Sequence, residues 1–342
     1  MVSVVLPCHQ AAPFVREAME SLTRQTYSDL EILALDDGST DETRAILDRY
    51  AGTDRRVRVI ASDVNRGLVA TLNQGVAQSG GEFIARMDAD DISRPDRIRK
   101  QVELLRAHPD VGVVSVGAEL MGPDGRAIRG MPVRCASPDG ARFMGLFAIP
   151  LVHAAIVARA EVLKSHPYAT DTVAVHTEDY ELFSRMLRSG VKLANVDERL
   201  YSIRVHGASV SRRFEGIQVD HFVTCARLHL EQVLGEAVPQ APHRVLVNRI
   251  SDVVQAADLR AGLRLLDRLE SLHELQSPSA RNEIGAIAAQ QRADILIQAL
   301  LKGAPAVRRA AVPLSLRYLP GFLTPSSVRY VLSKFGPRGI PR

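Results

Sequence analysis

Two short stretches, ALDDGSTDE and ARMDADD, each set carboxylates directly behind an apolar run of strand length. Asp36, Asp37, Asp88, Asp90 and Asp91 are thereby crowded at strand ends, where like charges repel unless a cation lies among them. Carboxylates so placed suit a divalent metal and a phosphate-bearing ligand, gripped at the carboxyl edge of an α/β sheet.

The pattern around these stretches predicts such a sheet. Residues 2–7 read as a buried strand. Residues 13–24 read as a helix, with Pro13 in its first turn and Phe14, Ala18, Met19 and Leu22 on one face. Strands are expected at 30–35, 57–61, 82–87 and 111–116. Helices are expected at 40–50, 68–77 and from Pro95 to about 107. Ser39 and Glu42 have the spacing of a capping box for the first of these. Strict strand–helix alternation implies a mainly parallel sheet with helices on both faces, so the turns after strands two and four share one edge. Gly122-Pro123-Asp124-Gly125 reads as a hairpin tip, 130–150 as loops, and 160–164 and 179–189 as helices. Beyond about residue 215 only helical periodicity remains, at 217–234, 245–256, 259–275, 280–301 and 328–335. Two regions follow, 1–214 and 215–342.

Composition narrows the function. Three scattered cysteines, Cys8, Cys135 and Cys225, fit neither a disulfide framework nor a zinc ribbon, and suit a reducing, cytoplasmic setting. No apolar run reaches the roughly 20 residues of a membrane span, and MVSVVLPCHQ is too soon interrupted for a signal peptide. With no Trp, stacking of sugars on indole rings is excluded. The net charge of +4 is uneven: from 302 to 342 there are eight Lys or Arg and no Asp or Glu. A basic tail on a mildly acidic body points to a negatively charged partner.

In order and spacing, SVVLPCHQ, SLTRQTYSDLEI, LALDDGSTDET, NRGLVATLNQGVAQSGGEFIARMDADD, TEDYELFSRM and YSIRVHGASVS resemble the inverting family 2 glycosyltransferases of the GT-A fold. The resemblance spans residues 2–212. It implies a Rossmann-like α/β catalytic region followed by an α-helical C-terminal region. The implied activity is transfer of a hexose, with inversion, from a UDP- or dTDP-sugar to a hydroxyl of a saccharide or lipid-linked saccharide in surface-glycan synthesis. Mg²⁺ or Mn²⁺ is the implied cofactor, because hard oxygen ligands suit these cations and a Lewis acid steadies a departing diphosphate.

The resemblance assigns roles residue by residue. Asp179 is the general base. Asp90 and His206 contact the metal. Asp88 lies toward the ribose, Asp37 accepts a hydrogen bond from the pyrimidine, and Pro7, Asn65, Arg66 and Arg204 contact the donor. Ser209 belongs to the same closing segment as Arg204 and His206. His153 and Glu178 fall on the acceptor side. His9-Gln10 and Ser165-His166-Pro167 depart from the family pattern, which puts the first-strand nucleotide contacts and the acceptor loop in question.

Rival classes fit less well. A sugar-phosphate nucleotidyltransferase would want a Gly-rich basic loop after strand one, and a dinucleotide enzyme a G-x-G-x-x-G; PCHQAAPF is neither. A non-catalytic nucleotide-sugar-binding subunit of a polysaccharide assembly would not need the acidic set. Nucleic acid is not an expected partner, since aromatic residues do not interleave the basic ones. The tail at 302–342 could rest peripherally on the anionic inner face of the cytoplasmic membrane, pack on its own domain, or form an interface in a homo-oligomer.

Overall fold

The computed structural model describes residues 1–170, 176–207 and 215–318. It divides into two compact units: Met1–Pro138 with Ile149–His221, and Asp139–Ala148 with Phe222–Arg342. The segment Asp139–Ala148 therefore packs with the helical unit, where a single boundary between 214 and 215 does not put it. Its Phe143 and Phe147 meet edge to face at 5.4 Å, and Phe143 also meets His273 at 5.3 Å.

The first unit is built on one mixed sheet. Its strands are β1 (Val2–Cys8), β2 (Leu30–Asp37), β3 (Val57–Ser62), β4 (Phe83–Arg86), β5 (Ile92–Ser93), β6 (Val111–Met121), β7 (Ala127–Met131), β8 (Val157–Arg159) and β9 (Lys192–Arg204). The spatial order is β3-β2-β1-β4-β8-β6-β9-β5, with β7 beside β6. Helices α1 (Val15–Thr23), α2 (Thr43–Thr53), α3 (Leu68–Gln78) and α4 (Arg97–Ala107) connect the strands; α5 (Pro138–Met144) lies, after its first residue, in the second unit, and α6 (Ala160–Ser165) and α7 (Glu178–Arg188) belong to the first. Apolar β1, β2 and β4, buried on both faces, run parallel, as crossover helices require. The ends of β2 and β4 thus flank the end of β1. Beyond β4 the sheet mixes directions: β8 is antiparallel to β4 and β6, while β9 runs parallel to β6 and antiparallel to β5. The hairpin between β6 and β7 turns at Gly122–Gly125.

Local patterning misplaces two elements. The capping box at Ser39 and Glu42 does not form. Ser39 Oγ instead accepts the Gln10 N–H at 3.1 Å, and α2 begins at Thr43, whose N–H is taken by Asp41 Oδ1 at 3.0 Å. The helix expected over 245–256 is also absent. Asn248, at φ 66°, adopts the left-handed conformation, which an α-helix cannot pass through.

The second unit is helical: α8 (Glu215–Leu234) from Phe222 onward, α9 (Gln240–Leu246), α10 (Ala256–Gln276), α11 (Arg281–Lys302) and α12 (Pro305–Arg317). Leu259, Leu263 and Leu266 of α10 and Ile284, Ile287 and Ile295 of α11 are among its buried residues. Among the described residues no helix is long and apolar enough to cross a membrane. Ser209, and the helix expected at 328–335, lie outside the described residues.

Candidate active site

The turn after β2 is held by its own carboxylates. Asp36 Oδ1 accepts the Ser39 N–H at 3.3 Å. Asp37, buried, reaches the neighbouring loop: its two oxygens accept the N–H groups of Arg66 and Gly67, each at 2.8 Å. Asn65 Oδ1 also accepts the Gly67 N–H, at 2.9 Å. Asp37 therefore orders the loop carrying Asn65 and Arg66, both of which are exposed. Gly38 makes that approach feasible: at φ +70° a side chain is strained, and a Cβ would lie 2.6 Å from the Val64 carbonyl carbon. Pro7 is buried in β1 opposite Leu35. The departing pair His9-Gln10 ties β1 to this turn. His9 Nδ1 donates to the Asp37 carbonyl at 2.9 Å, and Gln10 Oε1 accepts from the Thr40 and Asp41 N–H groups.

The turn after β4 brings Asp88, Asp90 and Asp91 together, with one ligand oxygen from each lying within 4.8 Å of the others. Arg86 Nη2 donates to Asp88 Oδ1 at 2.7 Å, and the Arg86 side chain is only 6% exposed. Asp91 Oδ1 accepts the Arg204 N–H at 2.8 Å. Burial raises the Asp88 carboxyl, Asp90 and Glu178 adding to the shift against the pull of Arg86. Asp91 is pushed well up by burial and by Asp88 and Asp90. The buried Cys8 thiol is raised by burial and by Asp36, Asp88 and Asp90, so it senses both acidic turns from the end of β1 between them. Such a set of hard oxygen donors, carrying more negative charge than it can hold unaided, fits Mg²⁺ or Mn²⁺. Asp91, left aside in favour of Asp90 and His206 by the family resemblance, belongs to the cluster.

Strand β9 delivers Arg204 and His206 to this turn. His206 Nε2 lies 2.9 Å from Asp90 Oδ2. Arg204, expected to contact the donor, is turned to the protein. Its side chain is fully buried, and its fork is occupied by the protein itself. Nε donates to the Asp90 carbonyl at 2.7 Å, Nη1 to the Pro123 carbonyl at 2.9 Å, and Nη2 to Glu17 Oε2 at 2.7 Å. A guanidinium committed in this way clamps the metal turn and has little left to offer a ligand.

Helix α7 opens with Glu178 and Asp179. Asp179 Oδ1 accepts the Tyr180 N–H at 2.7 Å. Burial, then the charge of Glu178, lifts the half-buried Asp179 carboxyl to about 6. Burial raises the Tyr168 phenol, and Arg86, Glu178, Asp88 and Asp179 all act on it electrostatically, so the base candidate and the acidic turn share one electrostatic surround. His153 Nε2 pairs with the Tyr168 hydroxyl at 2.8 Å. Burial, and Arg86 beside it, hold that imidazole neutral, well below its ordinary range. The Tyr168 backbone is fixed by the Asn73 amide, which accepts its N–H at 2.8 Å and donates to its carbonyl at 2.9 Å. His153, expected on the acceptor side, is thus part of a buried support for Tyr168.

The sequence pattern gives no site role to Arg86, Tyr168, Tyr201, Phe14 or Glu17, and Phe14, expected on the buried face of the first helix, stands before that helix and off its buried stripe. Arg86 stands in the ARMDADD run and carried a signal, a lone cation in an apolar strand. The others are joined to the site only by the fold, as when the Asp88 N–H donates to the Tyr201 hydroxyl at 3.1 Å.

Comparison with known proteins bears on the family and the fold. The profile described as Glycosyl transferase family 2 matches residues 3–134. A Bacillus subtilis (strain 168) protein named as a glycosyltransferase, EpsE, is 30% identical over 237 residues, covering 67% of this chain and 83% of its own. The crystal structure of S. aureus TarS 1–349 with UDP-GlcNAc has a TM-score of 0.55 at 16% identity, covering 92% of this chain and 91% of that one. The mannosyltransferase PcManGT from Pyrobaculum calidifontis, in complex with GDP-Man and Mn²⁺, has a TM-score of 0.53 at 20% identity, covering 97% and 83%. The two structures share the fold, and the sequence match extends to shared descent: this chain belongs to glycosyl transferase family 2.

Proposed function

We propose that the chain is a metal-dependent inverting hexosyltransferase. It takes its sugar from a UDP- or dTDP-linked donor and passes it to a hydroxyl of a saccharide or lipid-linked saccharide acceptor in surface-glycan synthesis. One observation carries this reading: Asp179, a carboxyl lifted to about 6, stands in the same surround as the turn of Asp88, Asp90 and Asp91. A base so tuned is mostly ionised at neutral pH yet still accepts a proton readily.

Asp179 Oδ2 receives the proton of the acceptor hydroxyl as that oxygen attacks the anomeric carbon. The new carbon–oxygen bond forms on the face opposite the leaving group, the bond to the diphosphate breaks, and the nucleoside diphosphate departs with the electron pair. No sugar–enzyme bond is made. Asp88, Asp90, Asp91 and His206 would hold Mg²⁺ or Mn²⁺, which supplies Lewis-acid neutralisation of the diphosphate when bound. Asp37, an acceptor only, suits the N3–H of uracil or thymine, and Asn65 and Arg66 lie on the loop it anchors. Glu178 raises the base, and Tyr168 bounds the acceptor side. Replacing Asp179 by Asn should reduce transfer by about 10²–10⁴-fold while UDP binding stays within twofold. Transfer retained at the wild-type rate would remove Asp179 from the mechanism.

The acceptor reading is supported by α12. Val312 and Leu316 are 54% and 67% exposed, and Arg309 is exposed on the same helical face. An apolar pair beside a cation suits an anionic leaflet, where lipid-linked acceptors reside. Salt-sensitive pelleting with anionic vesicles, lost on removal of 302–342, is the expected result; pelleting unchanged by that truncation would count against it.

A further inference from the structure

The residue that precedes α1 packs against the end of β9. Phe14 stands just before the helix, at φ −126°, outside the stripe of Val15, Ala18, Met19 and Leu22 that buries the helix. It belongs neither to the hydrophobic core cluster nor to the partly buried residues packed against that cluster. Its ring faces the end of β9 instead. The His206 imidazole lies 4.8 Å from it, centroid to centroid, tilted by 39°. The Arg204 guanidinium carbon lies 4.8 Å from the same centroid. One turn on, Glu17 pairs with Arg204 at 2.7 Å. The same two β9 side chains meet Asp90, Arg204 at its carbonyl and His206 at its carboxylate. A large aromatic residue left out of the core is otherwise a loss of buried area. Here its area is used to back an imidazole.

We propose that Phe14 is a positioning residue for His206: its ring fixes the plane of the imidazole so that Nε2 is aimed at Asp90 before any cation arrives. This rests on the reading that Asp90 and His206 serve the metal. Preset orientation matters because an imidazole that must be immobilised on binding gives back part of its ligand energy as lost rotamer freedom. Glu17 and Arg204 hold the strand end, and Phe14 holds the ring.

The test is Mn²⁺ titration followed by the free-ion electron paramagnetic resonance signal, with UDP present, on the full chain. Removing an outer-shell support of this kind typically weakens metal binding about 10–100-fold. Phe14→Leu should therefore weaken Mn²⁺ binding by about tenfold, Phe14→Tyr should stay within twofold, and His206→Ala should weaken it at least as much as Phe14→Leu. The double variant Phe14→Leu/His206→Ala should be no weaker than His206→Ala alone, since a residue acting through another adds nothing once that other is gone. Phe14→Met serves if the leucine variant does not fold. Wild-type binding by both Phe14→Leu and Phe14→Met, with His206→Ala impaired, would overturn the proposal and leave the metal reading intact. Additive losses in the double variant would overturn it too. Wild-type binding by His206→Ala would overturn both the proposal and the assignment of His206 to the metal.

Discussion

The edge of the sheet and the interior of the helical unit both bury ionisable groups, and they pay for it in opposite directions of pH. At the sheet edge acids crowd together, with the neutral His153 beneath them, and burial resists their ionisation: Asp88, Asp91 and Asp179 are all raised. In the helical unit the corresponding group is a base. His243 is fully buried, both ring nitrogens lack a hydrogen-bond partner, and burial with the nearby Arg227 pushes it down to about 4. The difference teaches how to tell a site from a core. At the edge the charges gather where a ligand can complete them. In the helical unit the histidine is simply held neutral, as apolar packing demands.

That contrast has measurable signs. The folded-state pKa of His243, about 4, lies below its ordinary 6.5, so the unfolded chain binds more protons between those values. Stability from this group is present above pH 6.5 and lost as pH falls toward 4, by up to about 3 kcal/mol. His243→Leu should flatten the fall of the thermal midpoint across that window; an unchanged slope would show that the histidine is not the acid-sensitive group.

Asp179 has the opposite sign. Its folded pKa, about 6, lies above its ordinary 3.8, so folding is most favoured below pH 3.8 and loses stability as pH rises through 6. Asp179→Asn should therefore raise the thermal midpoint at pH 8, by about 2 kcal/mol of stability once partial exposure is allowed for, while removing transfer. No gain in stability would mean that the site carries no electrostatic strain at this position. Next in size is Gly38→Ala. A Cβ there meets the Val64 backbone at 2.6 Å, and the left-handed backbone adds strain, so the donor KM should rise about tenfold, equivalent to ~1.4 kcal/mol. The helical unit's acid response should not move; a shift in both would blur the distinction between the two regions.

Much of the sheet was legible because β1 to β4 are short apolar runs closed by Gly, Pro and Asp, each with its connecting helix beside it in sequence. The acidic turns were legible for the same reason: their carboxylates have no apolar pattern to serve. Strands β5, β8 and β9 were not, because two or three paired residues, or a strand as polar as KLANVDERLYSIR, acquire their identity from partners far away in sequence, as with Val114 and Val157 or Ile92 and Ser202. Arg204 shows the limit most clearly. Its place in YSIRVHGASVS implied donor contact through the family resemblance, yet its partners are Glu17, Asp90 and Pro123, and only the fold brings these together. The capping box at Ser39 was a sound local pattern that lost to a longer-range hydrogen bond with Gln10.

On the proposed function, the oxygens of Asp88, Asp90 and Asp91 form one cation site for a nucleoside diphosphate. Mn²⁺ binding to the wild-type chain and to Asp90→Asn, each with and without UDP, probes that site directly. The wild-type protein should bind Mn²⁺, more tightly with UDP, and the variant should bind it at least about tenfold more weakly. Equal binding by the two proteins, or none by the wild type with UDP present, would contradict it.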